Sequence, residues 1–400
     1  MPALEGRRVW FVGIGGAGLS GYAVLAKAWG ADVAGWDRYE TPYLAYVRDA
    51  GIPVTISAEP VPAPSGWESV VSTAFAGQAE GRPRAEFLAE LVSQARAIVV
   101  AGAHGKTTTA AMIAFVLQDL GRDPSYLIGA EVPQLGGNGA AGSGWLVVEG
   151  DESDRTVFSL QAEIAVITNV DLDHHTTFAS EAELAKAFAD WARCLAPGHV
   201  VWGRDLEPAD FELAVPGEHN RRNAACALAA LELAGVGQNE AIPSLQRFRG
   251  AGRRLEQCGE VAGVRLYDDY AHHPAEIEAT LAAVKSLPDD GRALVLFQPH
   301  LYSRTLHLAR ELGAALAGAD VVAVLDVYPA REAPIEGVSG KLVVDSLCEL
   351  RPGMPVGWTP AVEHGVELVA KRARPGDVVL TIGAGDVDRA LPLLERRLRS

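Results

Sequence analysis

The run Gly102-Ala103-His104-Gly105-Lys106-Thr107-Thr108 places a lysine and two hydroxyls where the β-branched stretch ARAIVVA gives way to an alanine-rich one. In such a loop the backbone N–H groups face phosphate, Lys106 reaches the β- and γ-phosphates, and the Thr107 hydroxyl is a ligand for Mg2+. Val100 stands where the strict eight-residue pattern has its first glycine, but the chemistry of the loop survives that change. An ordinary capped helix start would not require this combination, so the run predicts an ATP loop.

A second glycine run, Gly13-x-Gly15-x-x-Gly18, follows VWFV at the front of the chain. Glycines there allow a tight turn and bring N–H groups against a pyrophosphate at a helix N-terminus. The next apolar run ends in Asp37, where a carboxylate suits ribose hydroxyls. Alone, this loop fits NAD, FAD or a UDP-sugar equally well, or a turn needed only for packing. Two loops of this kind in one chain point to an enzyme that brings a nucleotide-linked substrate to ATP.

Glu149, Asp151, Glu152 and Asp154 follow WLVV and are either a solvated acidic turn or cation ligands. Mg2+ takes one or two carboxylates and fills its shell with phosphate and water. Asn169, Asp171, Asp173, His174 and His175 follow AVIT, and one imidazole there could complete a metal site or orient a carboxylate. His219, Asn220 and Asn223 precede an alanine-rich helix, as caps or as readers of an adenine edge. Asp268, Asp269, Tyr270, His272 and His273 precede a helix opened by Pro274. Gln298, His300, Tyr302 and Arg304 come next, with Arg304 a natural clamp for a carboxylate or phosphoryl group. Gly383, Gly385 and Asp386 form a third glycine turn.

These groups need strand ends to hold them. Short β-branched runs, glycine turns and alanine- and leucine-rich stretches alternate throughout, which predicts α/β architecture with mostly parallel sheets. Open sheets of this kind bind ligands at the carboxyl ends of their strands. The pattern restarts at RRVWFVGIGG, at ARAIVVAGAHGKTTT and again around GRALVLFQPH, and loops such as PVPAPSG and FRGAGRR separate the segments. Domains are expected at about 1–97, 98–248 and 249–400 of the 400 residues, the first and last Rossmann-like and the central one P-loop-like.

The formal charge of −16 argues against nucleic-acid or anionic-membrane binding. No apolar run reaches membrane-spanning length. The N-terminal residues lack a signal-peptide pattern, so a cytoplasmic protein is expected. Cys194, Cys226, Cys258 and Cys348 form no CxxC pair and predict reduced thiols.

The strings AGAHGKTTT, EGDESD, TNVDLDHH, GEHNRRNA, GRRLE, DDYAHHPAEI, FQPHLYSRT, DVYPAREAPIEGV and GAGD occur in the order found in Mur ligases. The chain resembles that family over nearly its whole length, and GIGGAGLSG with DDYAHHP resembles the branch that attaches L-alanine. The resemblance implies three domains, for a UDP-sugar, ATP and an amino acid. It also implies ATP- and Mg2+-dependent joining of L-alanine to the lactoyl carboxylate of UDP-N-acetylmuramate, in peptidoglycan precursor synthesis, by a monomer or weak homodimer.

Carried over by position, the resemblance makes Lys106, His174, His272, His300 and Arg304 catalytic, and Thr107, Glu149 and His174 the metal ligands. His219, Asn220, Asn223 and Asp268 or Asp269 would join the loop from Gly102 to Thr108 around ATP. Gly15, Gly16, Ala17, Gly18, Leu19, Ser20, Asp37 and Ser72 would hold the UDP-sugar, and Tyr270, His272 and Arg304 the amino acid and acyl phosphate. The chain departs from the family in its short stretches near Ala74–Arg84 and Asp205–Pro216, in Thr176 where the family has Asp, and in Leu301 where Arg is common. Other readings are a ligase that recycles preformed peptide, an NAD-dependent oxidoreductase using GIGGAG, and a silent nucleotide-binding relative.

Overall fold

The computed structural model describes residues 3–171, 177–287, 291–330 and 332–399. Three mostly parallel sheets, the α/β architecture expected from the alternating pattern, are distributed over two compact units. The first unit comprises Met1–Val215 and Asn220–Ala251; the second comprises Pro216–His219 and Gly252–Ser400.

In the first unit, strands β1 (Arg8–Val12), β2 (Asp32–Asp37), β3 (Val54–Ile56), β4 (Glu68–Val71) and β5 (Arg82–Pro83) form a sheet in the order β3-β2-β1-β4-β5. All its pairings are parallel. Helices α1 (Ala17–Ala28), α2 (Leu44–Asp49) and α3 (Arg84–Ser93) accompany it. The apolar run of β1 is buried after Arg8, as a central parallel strand requires. Phe11 meets Phe87 of α3 edge-on at 5.5 Å, and full burial of a side chain of this size contributes roughly 1.5–3 kcal/mol. Because β1 lies between β2 and β4, connections leave it in opposite directions, and the crevice at its carboxyl end receives the first glycine loop.

The second sheet of this unit has the order β11-β10-β6-β9-β7-β8. Its strands are β6 (Ala97–Ala101), β7 (Ser125–Val132), β8 (Gly137–Ala140), β9 (Leu146–Glu149), β10 (Ile164–Ile167) and β11 (Val200–Trp202). Only β8 pairs antiparallel, as the return arm of a hairpin with β7. Helix α4 (Lys106–Asp119) is buried along nearly its whole length, which explains a sequence apolar all round after its first turn. Helices α5 (Glu181–Ala192), α6 (Glu218–Leu233) and α7 (Gln238–Leu245) follow.

The second unit carries β12 (Glu256–Val261), β13 (Val264–Asp269), β14 (Ala293–Phe297), β15 (Val321–Val324), β16 (Val356–Trp358) and β17 (Val378–Ile382). Their order is β12-β13-β17-β14-β15-β16, with only β12 antiparallel. Helices α8 (Pro274–Lys285), α9 (Tyr302–Leu316), α10 (Lys341–Leu350), α11 (Val362–Ala370) and α12 (Leu391–Arg399) complete the unit. Separate apolar cores fill the two faces of its sheet, one around Phe297 and Leu316 and one around Leu296 and Val369.

Candidate active site

The loop after β6 is shaped by two glycines. Gly102 (φ +118°) and Gly105 (φ +78°) hold left-handed backbone, and a Cβ on either would overlap a neighbour, Thr168 Oγ1 at the first and Asn223 Oδ1 at the second. The end of β10 clamps the loop from the other side. Asn169 Oδ1 accepts from His104 N at 3.0 Å, and its Nδ2 donates to His104 O at 2.8 Å. Thr168 Oγ1 donates to the same carbonyl at 2.6 Å.

Lys106 opens α4, and its ammonium group donates to Gly102 O at 2.6 Å and to Glu152 Oε2 at 2.9 Å. Glu152 is 1% exposed. Burial pulls the lysine pKa down, but Glu152, Asp151 and Glu149 outweigh that and raise it, so the cation is held. One residue further on, Thr107 Oγ1 donates to Glu149 Oε2 at 2.9 Å, and Gly129 N donates to the other oxygen of that carboxylate. A hydroxyl and a carboxylate at this spacing are the hard oxygen donors that Mg2+ takes alongside phosphate and water. The third expected ligand, His174, and the departure at Thr176 lie outside the described residues. Among the described residues, no cluster of three or more His, Cys, Asp or Glu side chains could by itself hold a metal.

The loop after β1 is braced by Asp37, whose Oδ2 accepts from Gly15 N at 2.7 Å, while Thr41 Oγ1 donates to Gly15 O at 2.7 Å. The Asp37 carboxylate thus shapes the glycine loop from beneath. Gly16, Ala17 and Gly18 are accessible, and α1 begins at Ala17 with no side-chain cap and no acid in its first turn. Its free N–H groups and dipole suit an anion. Leu19 and Ser20 are buried instead, and Ser20 Oγ accepts from Asn138 Nδ2 of β8 at 2.9 Å. Ser72 stands beside Gly13 and caps a short turn by accepting from Ala74 N at 3.3 Å.

The helix that follows the first glycine loop packs directly on the second sheet. Gly139 of β8 lies so close to Gly21 of α1 that a Cβ on Gly139 would come 2.5 Å from Gly21 Cα. On the other side, the guanidinium of Arg84 lies 3.5 Å from Asp151 and 3.4 Å from Asp154. A Cβ on Gly18 would fall 3.0 Å from that same guanidinium. The carboxylates after β9 thus face Lys106 through Glu152 and α1 through Arg84.

Asn220 and Asn223 belong to the first unit and His219 to the second. Both asparagines are buried, with Asn223 against Gly105 and its Nδ2 donating to Asn220 Oδ1 at 3.4 Å. Burial lowers the His219 pKa, and Glu276 raises it in part.

In the second unit, Asp268 and Asp269 at the end of β13 act as internal braces. Asp268 accepts from Arg253 Nε at 2.8 Å and from Thr381 Oγ1 at 2.5 Å. Asp269 accepts from Leu255 N at 2.6 Å and Ala271 N at 2.7 Å. Arg253 also donates to Gly383 O at 2.7 Å and Gly385 O at 2.9 Å, tying the third glycine turn to β13.

Four rings stand in series across the strand ends of that unit. Tyr270 meets His272 edge-on at 5.6 Å, His272 meets His300 at 5.8 Å, and His300 stacks on Tyr328 at 5.9 Å. Arg304 is 8% exposed, and its Nη1 lies 3.1 Å from His300 Nδ1. Between them, Leu301 holds φ +68°, in the left-handed region, with its N–H donated to Tyr328 O at 2.9 Å. A β-branched-free but non-glycine residue there is strained by about 1–3 kcal/mol.

Sequence reasoning did not single out Arg84, Asn138, Arg253 or Tyr328, and it left Glu152 as one acid among several. GRRLE marked the neighbourhood of Arg253, but no local signal marks a lone arginine or asparagine whose partners lie far along the chain.

Three family models match the chain in succession. The Mur ligase family catalytic domain matches residues 8–96, the Mur ligase middle domain residues 100–205, and the Mur ligase glutamate ligase domain residues 253–385. The chain belongs to the Mur ligase family. It is 37% identical to the UDP-N-acetylmuramate–L-alanine ligase of Paenarthrobacter aurescens, with 98% of this chain and 97% of that protein covered. Against the ligase of the same name from Streptomyces coelicolor the identity is 39%, with 95% of each covered. The crystal structure of UDP-N-acetylmuramate–alanine ligase from Thermotoga maritima superposes with a TM-score of 0.80 at 25% identity, over 98% of both chains. A murein peptide ligase from Psychrobacter arcticus shares the fold, with a TM-score of 0.68 at 22% identity over 99% of both.

Proposed function

We propose that this chain is an ATP-dependent ligase joining L-alanine to the lactoyl carboxylate of UDP-N-acetylmuramate, a step of peptidoglycan precursor synthesis in the cytoplasm. Mur ligases use ATP. The reading is carried by the gathering of Lys106, Thr107, Glu149 and Glu152 at one phosphate-type loop, in a chain similar over nearly its full length to ligases of that name.

A carboxylate is a poor electrophile. Transfer of the γ-phosphoryl group to it gives an acyl phosphate and ADP. The amine nitrogen then forms the C–N bond, phosphate leaves with the electrons of the C–O bond, and the nitrogen sheds a proton. Lys106 leaves Glu152 for the phosphates and spreads the charge of the transferring group. Thr107 and Glu149 would hold Mg2+, which when bound neutralises phosphate charge. N–H groups at the start of α1 hold the sugar's pyrophosphate. Arg304 takes the amino-acid carboxylate, and His300 or His272 takes the amine proton.

The test is phosphate release from ATP by the purified protein with Mg2+, UDP-N-acetylmuramate and L-alanine, omitting each in turn. Release that requires all of them, with a matching mass gain on the sugar nucleotide, is expected. Release with a preformed peptide but not with L-alanine would move the reading to a recycling ligase.

A further inference from the structure

Arg84 is the first residue of α3, and its guanidinium reaches the start of α1. Its Nη1 lies 3.0 Å from the place where a Cβ on Gly18 would stand, and among the described residues nothing else comes within 4 Å of that place. Gly18 does not hold left-handed backbone, so glycine serves here for space and not for conformation. Side chains on a helix lean toward its N-terminus. The guanidinium therefore stands beside the first turn of α1, on the side where that turn leaves its N–H groups unpaired.

Carboxylates hold this guanidinium loosely. Nη2 donates to Asp154 at 3.4 Å and lies 3.5 Å from Asp151, whereas a charge-assisted bond at full strength measures about 2.7–2.9 Å. Among the described residues, the bond to Asp154 is the only hydrogen bond that the guanidinium makes. The Arg84 side chain is 26% exposed, Gly16 is exposed and Gly18 is half-buried, so solvent reaches this side of the helix start. A diphosphate carries negative charge, and the loop after β1 has no cation to meet it. Gly13 to Ser20 includes no lysine or arginine, and Asp37, which braces the loop, is itself an acid. The planar fork of an arginine matches phosphate oxygens.

We propose that Arg84 binds a diphosphate oxygen of the sugar nucleotide at the start of α1, and that position 18 is glycine in order to admit it. The inference rests on the ligase reading above and adds to it a residue from a separate helix. Asp151 and Asp154 keep the guanidinium aimed at α1 before the ligand arrives.

The experiment is calorimetric binding of UDP-N-acetylmuramate and of UDP, without ATP or L-alanine, to wild type, Arg84→Met, Arg84→Lys and Gly18→Ala. Arg84→Met should weaken both ligands about ten- to one-hundred-fold, the loss of a hydrogen bond from a charged donor. Arg84→Lys should recover part of this, and Gly18→Ala, which displaces the guanidinium by a few tenths of an ångström, should cost a few-fold. Wild-type affinity should also fall more steeply with added salt than that of Arg84→Met, a difference that a role in folding alone would not produce. Mg-ATP binding should stay within about twofold. Gly18→Ala leaves α3 unaltered and carries the test if Arg84→Met does not fold. Unchanged affinity for UDP-N-acetylmuramate, or equal salt slopes, overturns the inference. So does UDP affinity that the variants leave untouched or that wild type lacks, which would move the guanidinium to the lactoyl carboxylate. A wild-type protein that binds UDP-N-acetylmuramate but releases no phosphate with L-alanine sinks the ligase reading alone.

Discussion

The ammonium group of Lys106 and the carboxylate of Glu152 lie 2.9 Å apart, with Glu152 almost wholly buried. On the proposed function, nucleotide binding takes a lysine that is already paired. Breaking a buried pair by removing one partner typically costs 3–5 kcal/mol. In Glu152→Gln the lysine loses its nearest counter-ion and keeps only the weaker pull of Asp151 and Glu149 until phosphate arrives. The variant should melt well below wild type without nucleotide and gain more from Mg-ATP than wild type does. Thermal unfolding with and without Mg-ATP reads this directly, and equal gains in both proteins would show that the pair is not exchanged for phosphate.

Lys106→Ala removes the cation at the phosphates and leaves the loop after β1 untouched. Turnover should fall at least 10²–10³-fold, the scale of losing one donor to a transition-state charge. UDP-N-acetylmuramate binding, followed by calorimetry without ATP, should stay within a few-fold of wild type. Equal loss of both would place the lysine at the sugar nucleotide instead.

The contact between Gly139 and Gly21 leaves no room for a methyl group. Gly139→Ala should push α1 away from the β7–β8 hairpin at a cost of about 1–3 kcal/mol. It should weaken UDP-N-acetylmuramate binding more than ATP binding, because α1, which follows the first glycine loop, is the helix in this contact. Parallel titrations with the two nucleotides check the difference.

Leu301 keeps a strained backbone next to His300 and Arg304. Leu301→Gly removes the steric penalty, though it also frees the unfolded chain, so the net gain in stability should be no more than about 1 kcal/mol. Because His300 and Arg304 flank this position, activity should fall even where stability rises. A variant both more stable and fully active would show that the strain has no bearing on the site.

Burial, offset only in part by Arg254 and by the N–H groups of Ala271 and Leu255, lifts the Asp269 carboxyl to about 6. The unfolded value is about 3.9, so the folded chain binds this proton more tightly than the unfolded one. The penalty for the buried charge, on the order of 3 kcal/mol, is present in full above pH 6 and is relieved as pH falls toward 4. Asp269→Asn has no such titration. The stability of wild type relative to this variant should grow between pH 7 and pH 4.5, which denaturation at several pH values would show.

The glycine loops could be read from sequence because their signal is local. A strand, a turn that only glycine can make, and a lysine and hydroxyl at the next helix start lie within a dozen residues. The strand-end position of Glu149, His300 and Arg304 followed from the same alternation. Other features depend on tertiary contact between distant segments. Nothing near Gly139 says that it faces Gly21, and Arg253 reaches Gly383 and Gly385 only because β13 and β17 are neighbours. Likewise the partners of Asp268 and Asp269, which are Thr381 and the N–H groups of Leu255 and Ala271, leave no pattern beside an acidic pair.

The first sheet ends on one side in β5, which is two residues long and includes Pro83, and on the other in β3, three residues long. An exposed strand edge is a template on which another chain can add a strand, and short edges and proline are the usual protection. With β5 only two residues long and closed by Pro83, the sheet has a border too brief to recruit another molecule. This border thus guards against aggregation while the carboxyl ends of the strands stay in place.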